Sequence, residues 1–223
     1  MNFGFSNDRN IDNAYIITID DPVSLEFSQR CQESCESVGM PYQVWKGFDG
    51  TKDGDILVPD HSANKDYLHW IKVHDNRITK SQLACVLSHF SIWCHCLTID
   101  QPLVILEHDA VMTRPLRYFN FYNMIQFLGC YEQFKLGWPS GSPIPPHATA
   151  YNKKMHCICR AHAYAIDPAM ARNLISRFIQ NGVFATTTAD LFMRADIFAI
   201  VQNGIYAYDD NLSDISTVRE LEL

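Results

Sequence analysis

The sequence predicts an α/β domain of three layers, with helices on both faces of a central mixed, mostly parallel sheet. Three observations carry this. The chain opens on a β-α-β pattern between Ala14 and Lys46. A second apolar run, Leu103–Leu106, stops abruptly at Glu107-His108-Asp109. Around these runs, stretches of helical period alternate with short β-rich segments, the pattern of strands connected through helices.

Each element has a local reason. Ala14–Ile19 (AYIITI) is a nearly continuous apolar run, as expected of a strand buried on both faces. Asp20 or Asp21 can cap the helix that follows, and Pro22 suits its first turn. That helix should run to about Val38, where Gly39 stops it. Pro41–Lys46 reads as the second strand, followed by a Gly47-Phe48-Asp49-Gly50 turn. Such a unit calls for a parallel sheet with a right-handed crossover. Lys52–Arg77 is polar and irregular, which favours a functional loop over a spacer. Thr79 begins an amphipathic helix with Leu83, Val86, Leu87, Phe90, Trp93, Cys94 and Leu97 on its apolar stripe. Pro102 leads into the acidic strand. Tyr118–Leu128 reads as a helix and Phe134–Leu136 as a short strand, and Trp138–Pro146 (WPSGSPIPP) as a loop. His156–Ile166 supplies one or two strands. Asp167-Pro168 starts a helix ending near Gly182, and Thr186–Asp190 opens a short last one. No repeat or linker divides the chain, so residues 1–223 are expected to form a single domain.

Composition narrows the function. Of 223 residues, 47% are hydrophobic and 19% charged, enough for a sizeable core and too apolar for disorder. The net charge of −7, with no basic block, disfavours a nucleic-acid partner. No stretch approaches the ~20 apolar residues of a membrane span, and the polar Met1–Asn10 start lacks a leader's apolar region. A cytoplasmic location is the expectation, in a bacterial cell or a virus-infected host. The eight cysteines are expected to be reduced and mostly buried. Cys31 and Cys35 share a helix face, Cys94 and Cys96 point to different sides of theirs, and Cys157 and Cys159 share a strand face.

The chemistry is concentrated at Glu107-His108-Asp109. Strand residues alternate sides, so Glu107 and Asp109 can point the same way, with His108 opposite. In open α/β sheets, ligands bind outside the carboxyl ends of the strands. Paired hard oxygens there suit Mn²⁺ or Mg²⁺ in preference to zinc, and such a cation suits a diphosphate leaving group. A plain solvated strand end is the alternative.

Several segments together resemble glycosyltransferase family 25, the lipooligosaccharide and collagen galactosyltransferase group. Ser81-Gln82-Leu83-Ala84-Cys85-Val86-Leu87-Ser88-His89 is similar to that family's Gly-Glu-Ile-Gly-Cys-x-x-Ser-His helix, and Trp93 follows it. Leu106-Glu107-His108-Asp109-Ala110 resembles its Leu-Glu-Asp-Asp-Ala. Tyr15–Asp20 resembles its first strand, Gly47–Gly50 its Ala-x-Asp-Gly turn, and Ala163–Ile166 a later strand. Asp190 stands where the family has Pro-x-Asp, and Ser213-Asp214-Ile215 matches its closing Ser-Asp-Ile. The departures are His108 for the middle acid, Gln82 for a Glu, and a missing Arg after the first strand.

The resemblance implies a GT-A-type, Rossmann-like fold, a UDP-sugar donor and inversion at the anomeric carbon. Thr18, Ile19 and Asp20, the Phe48-Asp49-Gly50 turn, Ser81, Glu107 and His108 would then line the donor site. Phe48 can stack on the base or pack in the core, and Glu107 can bind ribose hydroxyls or the metal. Asp109, with Glu107 and Asp214, would hold Mn²⁺ or Mg²⁺. Asp190 is the first choice for the base that deprotonates the acceptor hydroxyl; a helix cap is its ordinary alternative. His89 is weighed as a packing histidine against a catalyst. The implied partners are a nucleotide-sugar donor, carrying galactose or glucose, and a glycan or other hydroxyl acceptor. A degenerate sugar- or nucleotide-binding protein, a metal-dependent phosphoesterase and a zinc-bound interaction module are the rivals.

Overall fold

A computed structural model describes residues 9–50, 79–129, 142–143, 161–182 and 189–209. The expectations for Lys52–Arg77, Phe134–Leu136, His156, Cys157, Cys159 and Asp214 lie outside them.

The opening β-α-β unit forms as read. Strand β1 (Ala14–Thr18) pairs in parallel with β2 (Tyr42–Lys46). Between them runs helix α1 (Pro22–Ser37). Asp21, not Asp20, is its cap, accepting from the Val23 and Ser24 amides at 2.9 and 3.3 Å. Gly39 follows its end at φ 67°, a left-handed conformation that suits a residue without Cβ. Helix α2 (Lys80–Ile99) starts with a reciprocal capping box. The Gln82 amide N–H donates to Thr79 Oγ1 at 3.1 Å, and the Thr79 N–H donates to Gln82 Oε1 at 3.0 Å. Gln82 thus does locally what a Glu would do, so this departure from the family pattern leaves the helix start intact.

Strand β3 (Leu103–Glu107) lies on the other side of β1, also parallel. Short strands β4 (Ala110–Met112), β5 (Ile125–Gly129), β6 (Ser142–Pro143), β7 (Ala163–Ile166) and the long β8 (Ile200–Asp209) complete one sheet. Its order is β2-β1-β3-β7-β5-β8-β4, with β6 beside β8. The pairs β3–β7, β5–β7, β4–β8 and β6–β8 are antiparallel. The sheet is therefore mixed rather than mostly parallel; only β2, β1 and β3 form a parallel block, with one further parallel pair, β5–β8. Helix α1 covers one face, with Cys31 and Cys35 packed on Ile16, Val104 and Leu106. Helix α2, α3 (Pro168–Asn181) and the short α4 (Ala189–Phe192) cover the other. This bears out the three layers.

Four further expectations change. Tyr118–Leu128 is not a helix: Asn123 takes a left-handed φ of 54°, and Ile125–Gly129 is a strand buried along its whole length between β7 and β8. A short apolar run buried on both faces carries no period that separates strand from helix. Two residues of the Pro/Gly/Ser stretch, Ser142–Pro143, are a strand rather than loop. Helix α2 is buried nearly all round rather than amphipathic, because it lies between the sheet and α3. It is also long and apolar enough to cross a membrane, with a mean hydropathy of 1.3, contrary to the expectation that no stretch comes near. Its most apolar window is 67% buried in the fold, as in a core helix.

Asp167 ties three parts of this layout together. It caps α3 through the Met170 amide at 2.9 Å, accepts from the Asn123 amide at 3.0 Å, and pairs with Arg9 at 3.3 Å. Its side chain is only 3% exposed. Asp167→Ala is expected to cost about 2 kcal/mol, read as a lower midpoint in urea at unchanged slope.

The described cysteines are free thiols, and Cys31, Cys35, Cys94 and Cys96 are buried. Burial pushes the Cys94 thiol up to about 12, and Cys96 is raised further. Thiolate is the reactive form. Under native conditions Cys85, half-buried, is therefore expected to be alkylated before Cys94 and Cys96, as read by mass spectrometry.

Candidate functional site

The parallel block sets the site. β2, β1 and β3 end side by side at Lys46, Thr18 and Glu107, so their following turns share one edge of the sheet. The turn after β2 is closed against α2. The Gly47 N–H donates to the Thr18 carbonyl at 2.8 Å, and the Phe48 N–H to Ser88 Oγ at 2.9 Å. A Cβ at Gly50 would lie 2.6 Å from the Lys80 carbonyl and from Ser81 Cα. Only glycine lets the turn approach the start of α2 this closely. Gly50→Ala must shift one backbone or the other, and is expected to cost about 1–3 kcal/mol in a thermal melt.

This arrangement gathers Ile19, Asp20, Asp49, Gly50, Ser81, Glu107, His108 and Asp109 along one edge. Their settings differ. Thr18 is buried, and its hydroxyl donates to Ser28 Oγ of α1 at 2.7 Å. The Ile19 N–H donates to Ser24 Oγ at 3.1 Å, while Asp20 is exposed. Phe48 is 3% exposed and packs in the core beneath α2, which decides between its two readings in favour of the core. Asp49 and Ser81 are half-buried, and Lys80 is exposed.

The acidic motif divides between the two faces of the sheet. Glu107 turns to the α2 face, where its Oε1 lies 3.0 Å from His89 Nε2. His108 turns to the α1 face, its ring 6.1 Å from that of Phe27. Alternation holds through these two residues. The strand ends at Glu107, however, and Asp109 lies half-buried in the turn that leads to β4, where alternation no longer governs. Its charge helps raise the Cys31 thiol of α1, after the larger effects of the Cys35 hydrogen bond and burial.

Behind Glu107 stands a buried polar chain. His89 is 1% exposed, and its Nδ1 lies 2.9 Å from the Tyr164 hydroxyl. The Trp93 Nε1–H donates to that hydroxyl oxygen at 2.8 Å. Trp93 and Tyr164 were legible only as core residues, since helical spacing and strand position account for them without any polar role. The one sequence signal was His89 itself, a histidine on the helix that precedes the acidic strand.

Asp190 lies in the first turn of α4, a helix that packs on α2. Its side chain is outside the described residues.

Two kinds of metal can be tested against these groups. Mn²⁺ or Mg²⁺ is commonly held by one or two carboxylates plus substrate phosphates. Asp109, a hard oxygen donor in a half-buried turn at the strand end, fits that requirement. A softer group is formed by Cys85, His89 and Glu107, whose donor atoms lie within 4.8 Å of one another. It fits less well, because Glu107 and Tyr164 already engage the two nitrogens of His89. A cavity of about 460 Å³ lies elsewhere, at the opposite end of β3, beside Arg9, Asp100, Tyr122 and Arg172. It touches none of the groups above.

The family model of glycosyltransferase family 25 (LPS biosynthesis protein) matches residues 12–193. No curated protein matches the chain. The matched segment contains β1, the Gly47–Gly50 turn, α2, the acidic strand, β7 and Asp190.

Proposed function

The chain belongs to glycosyltransferase family 25, whose members transfer sugars, and from that premise we propose an inverting, metal-dependent transfer of a hexose from a UDP-sugar to a hydroxyl acceptor on a glycan. The donor hexose is galactose or glucose, and the fold is of the GT-A type. The observation that carries this reading is the shared edge of strand ends, where carboxylates and a glycine-closed turn meet the start of α2.

Each residue then has a part. Asp109 holds Mn²⁺ or Mg²⁺, with Asp214 as a further candidate ligand. When bound, that cation neutralises the charge developing on the departing diphosphate. Glu107 accepts hydrogen bonds from the ribose hydroxyls, since its carboxylate is held toward α2, while Asp109 sits in the turn and its charge reaches Cys31 in α1. Asp20, Asp49, Gly50 and Ser81 frame the nucleoside. Thr18 and Phe48 support this frame from beneath, Thr18 by anchoring β1 to α1 and Phe48 by seating the turn on α2. Asp190 takes the proton from the acceptor hydroxyl, on the face opposite the leaving group.

The test is a panel of nucleotide sugars with and without Mn²⁺, scored by thermal shift and by UDP release. A ligand at 100 times its Kd stabilises the folded state by about 2.7 kcal/mol. A Mn²⁺-dependent shift with UDP-galactose or UDP-glucose, together with UDP release, is the expected result. No shift and no release with any donor and any divalent cation would reject the reading. Hydrolysis of a generic phosphodiester would redirect it to the phosphoesterase rival.

A further inference from the structure

We infer that His89 is a positioning residue for Glu107, donating its Nε2–H to the carboxylate while Tyr164 and Trp93 back the other nitrogen of its ring. This rests on the donor-site reading above for its consequence in the reaction, though not for its geometry.

The direction of the buried chain follows from its carboxylate end. An ionised carboxylate can only accept. Nε2 of His89 is 3.0 Å from Glu107 Oε1, so Nε2 carries the ring proton and its N–H donates to the carboxylate. In the neutral ring Nδ1 is then the acceptor, 2.9 Å from the Tyr164 hydroxyl that donates to it. The Trp93 indole N–H can only donate, and it meets the same hydroxyl oxygen at 2.8 Å. The opposite tautomer would set a nitrogen lone pair against a carboxylate oxygen. Each group in the chain thus has one role, and a ring nitrogen's role is set by the bond that the other nitrogen makes.

The chain is also rigid. His89 and Tyr164 are 1% and 0% exposed, and their rings stack at 5.7 Å. Trp93 is fully buried against Phe178 and Phe192. Glu107 is the exposed end, at 30%. A flexible glutamate at a strand end would sample several rotamers. Here one oxygen is fixed by a donor that cannot move, which orients the carboxylate before a ligand arrives. A metal at Cys85, His89 and Glu107 would have to displace that proton and the hydrogen bond it makes to Glu107.

Long-range ¹H–¹⁵N correlation spectra of histidine-labelled protein test the tautomer directly, with His89 assigned from the His89→Gln spectrum. The Nε2–H form is expected in the intact protein, and Glu107→Ala, which removes the acceptor, is expected to populate the other. A second arm is a cycle of His89→Ala and Glu107→Ala, measured as kcat/KM for the UDP-sugar with Mn²⁺. His89→Ala should lower it about 10- to 100-fold, the range for a lost hydrogen bond to a charged group. On the Glu107→Ala background it should add little. His89→Gln keeps an N–H near Glu107 and should recover most of the loss. An Nδ1–H tautomer, additive losses in the cycle, or a cobalt–thiolate absorption removed by Cys85→Ser would each overturn the inference. If the unaltered protein turns over no donor, the functional reading fails, and the tautomer spectrum still decides the positioning chain.

Discussion

Asp109→Ala is expected to lower Mn²⁺-dependent UDP release by roughly 100-fold or more, a loss of about 3 kcal/mol in transition-state stabilisation. In the proposed transfer the departing diphosphate develops negative charge that must be neutralised. In the proposed reaction a cation held at the strand end would meet that charge, and Asp109 is the carboxylate proposed to hold it. The effect should appear in kcat and in the Mn²⁺ concentration needed for half-maximal rate. Glu107→Ala should instead act on the donor's KM, because Glu107 is held toward α2 and is the residue proposed to bind the ribose. The melting temperature of Asp109→Ala should stay near that of the parent, since the residue is half-buried in a turn rather than in the core. Activity retained within a few-fold would remove Asp109 from the cation and move the search to other acids.

The largest effect on stability is expected from Trp93→Ala. The residue is fully buried and meets Phe90, Phe178 and Phe192 at ring distances of 6.2, 6.1 and 5.7 Å. These rings join α2 to α3 and α4, so the cavity left by truncation would open between three elements and could not collapse onto one side. Large-to-small changes of this kind cost about 3–5 kcal/mol. For a chain of this size that lowers the melting temperature by roughly 10 °C. The loss has a second component, because Tyr164 loses the donor that orients its hydroxyl. Trp93→Phe separates the two. It keeps most of the packing, so it should cost less in the melt while still removing the indole donor from the Tyr164 hydroxyl.

Local chemistry made much of the fold readable. Asp21-Pro22, Thr79 with Gln82, and Asp167-Pro168 mark three helix starts, because a cap is satisfied by atoms within three residues of it. β1 and β3 were legible as short apolar runs ending in polar turns. Ile125–Gly129 was not, since its burial between β7 and β8 depends on strands about 40 and 75 residues further along the chain. The balance of parallel and antiparallel pairs was hidden for the same reason: it depends on which distant strands become neighbours.

The site divides in the same way. The family pattern and the strand-end acids were present in the order of residues alone, and alternation correctly sent Glu107 and His108 to opposite faces. Only the tertiary structure turned Thr18 to Ser28, sank Phe48 beneath α2, and brought His89 to Glu107 across 18 positions of sequence. Caps, turns and residue patterns are settled by neighbours within a few residues, so they are written along the chain. Which side chain meets which acid is settled by how helices lie on the sheet, and that appears only when the whole core closes.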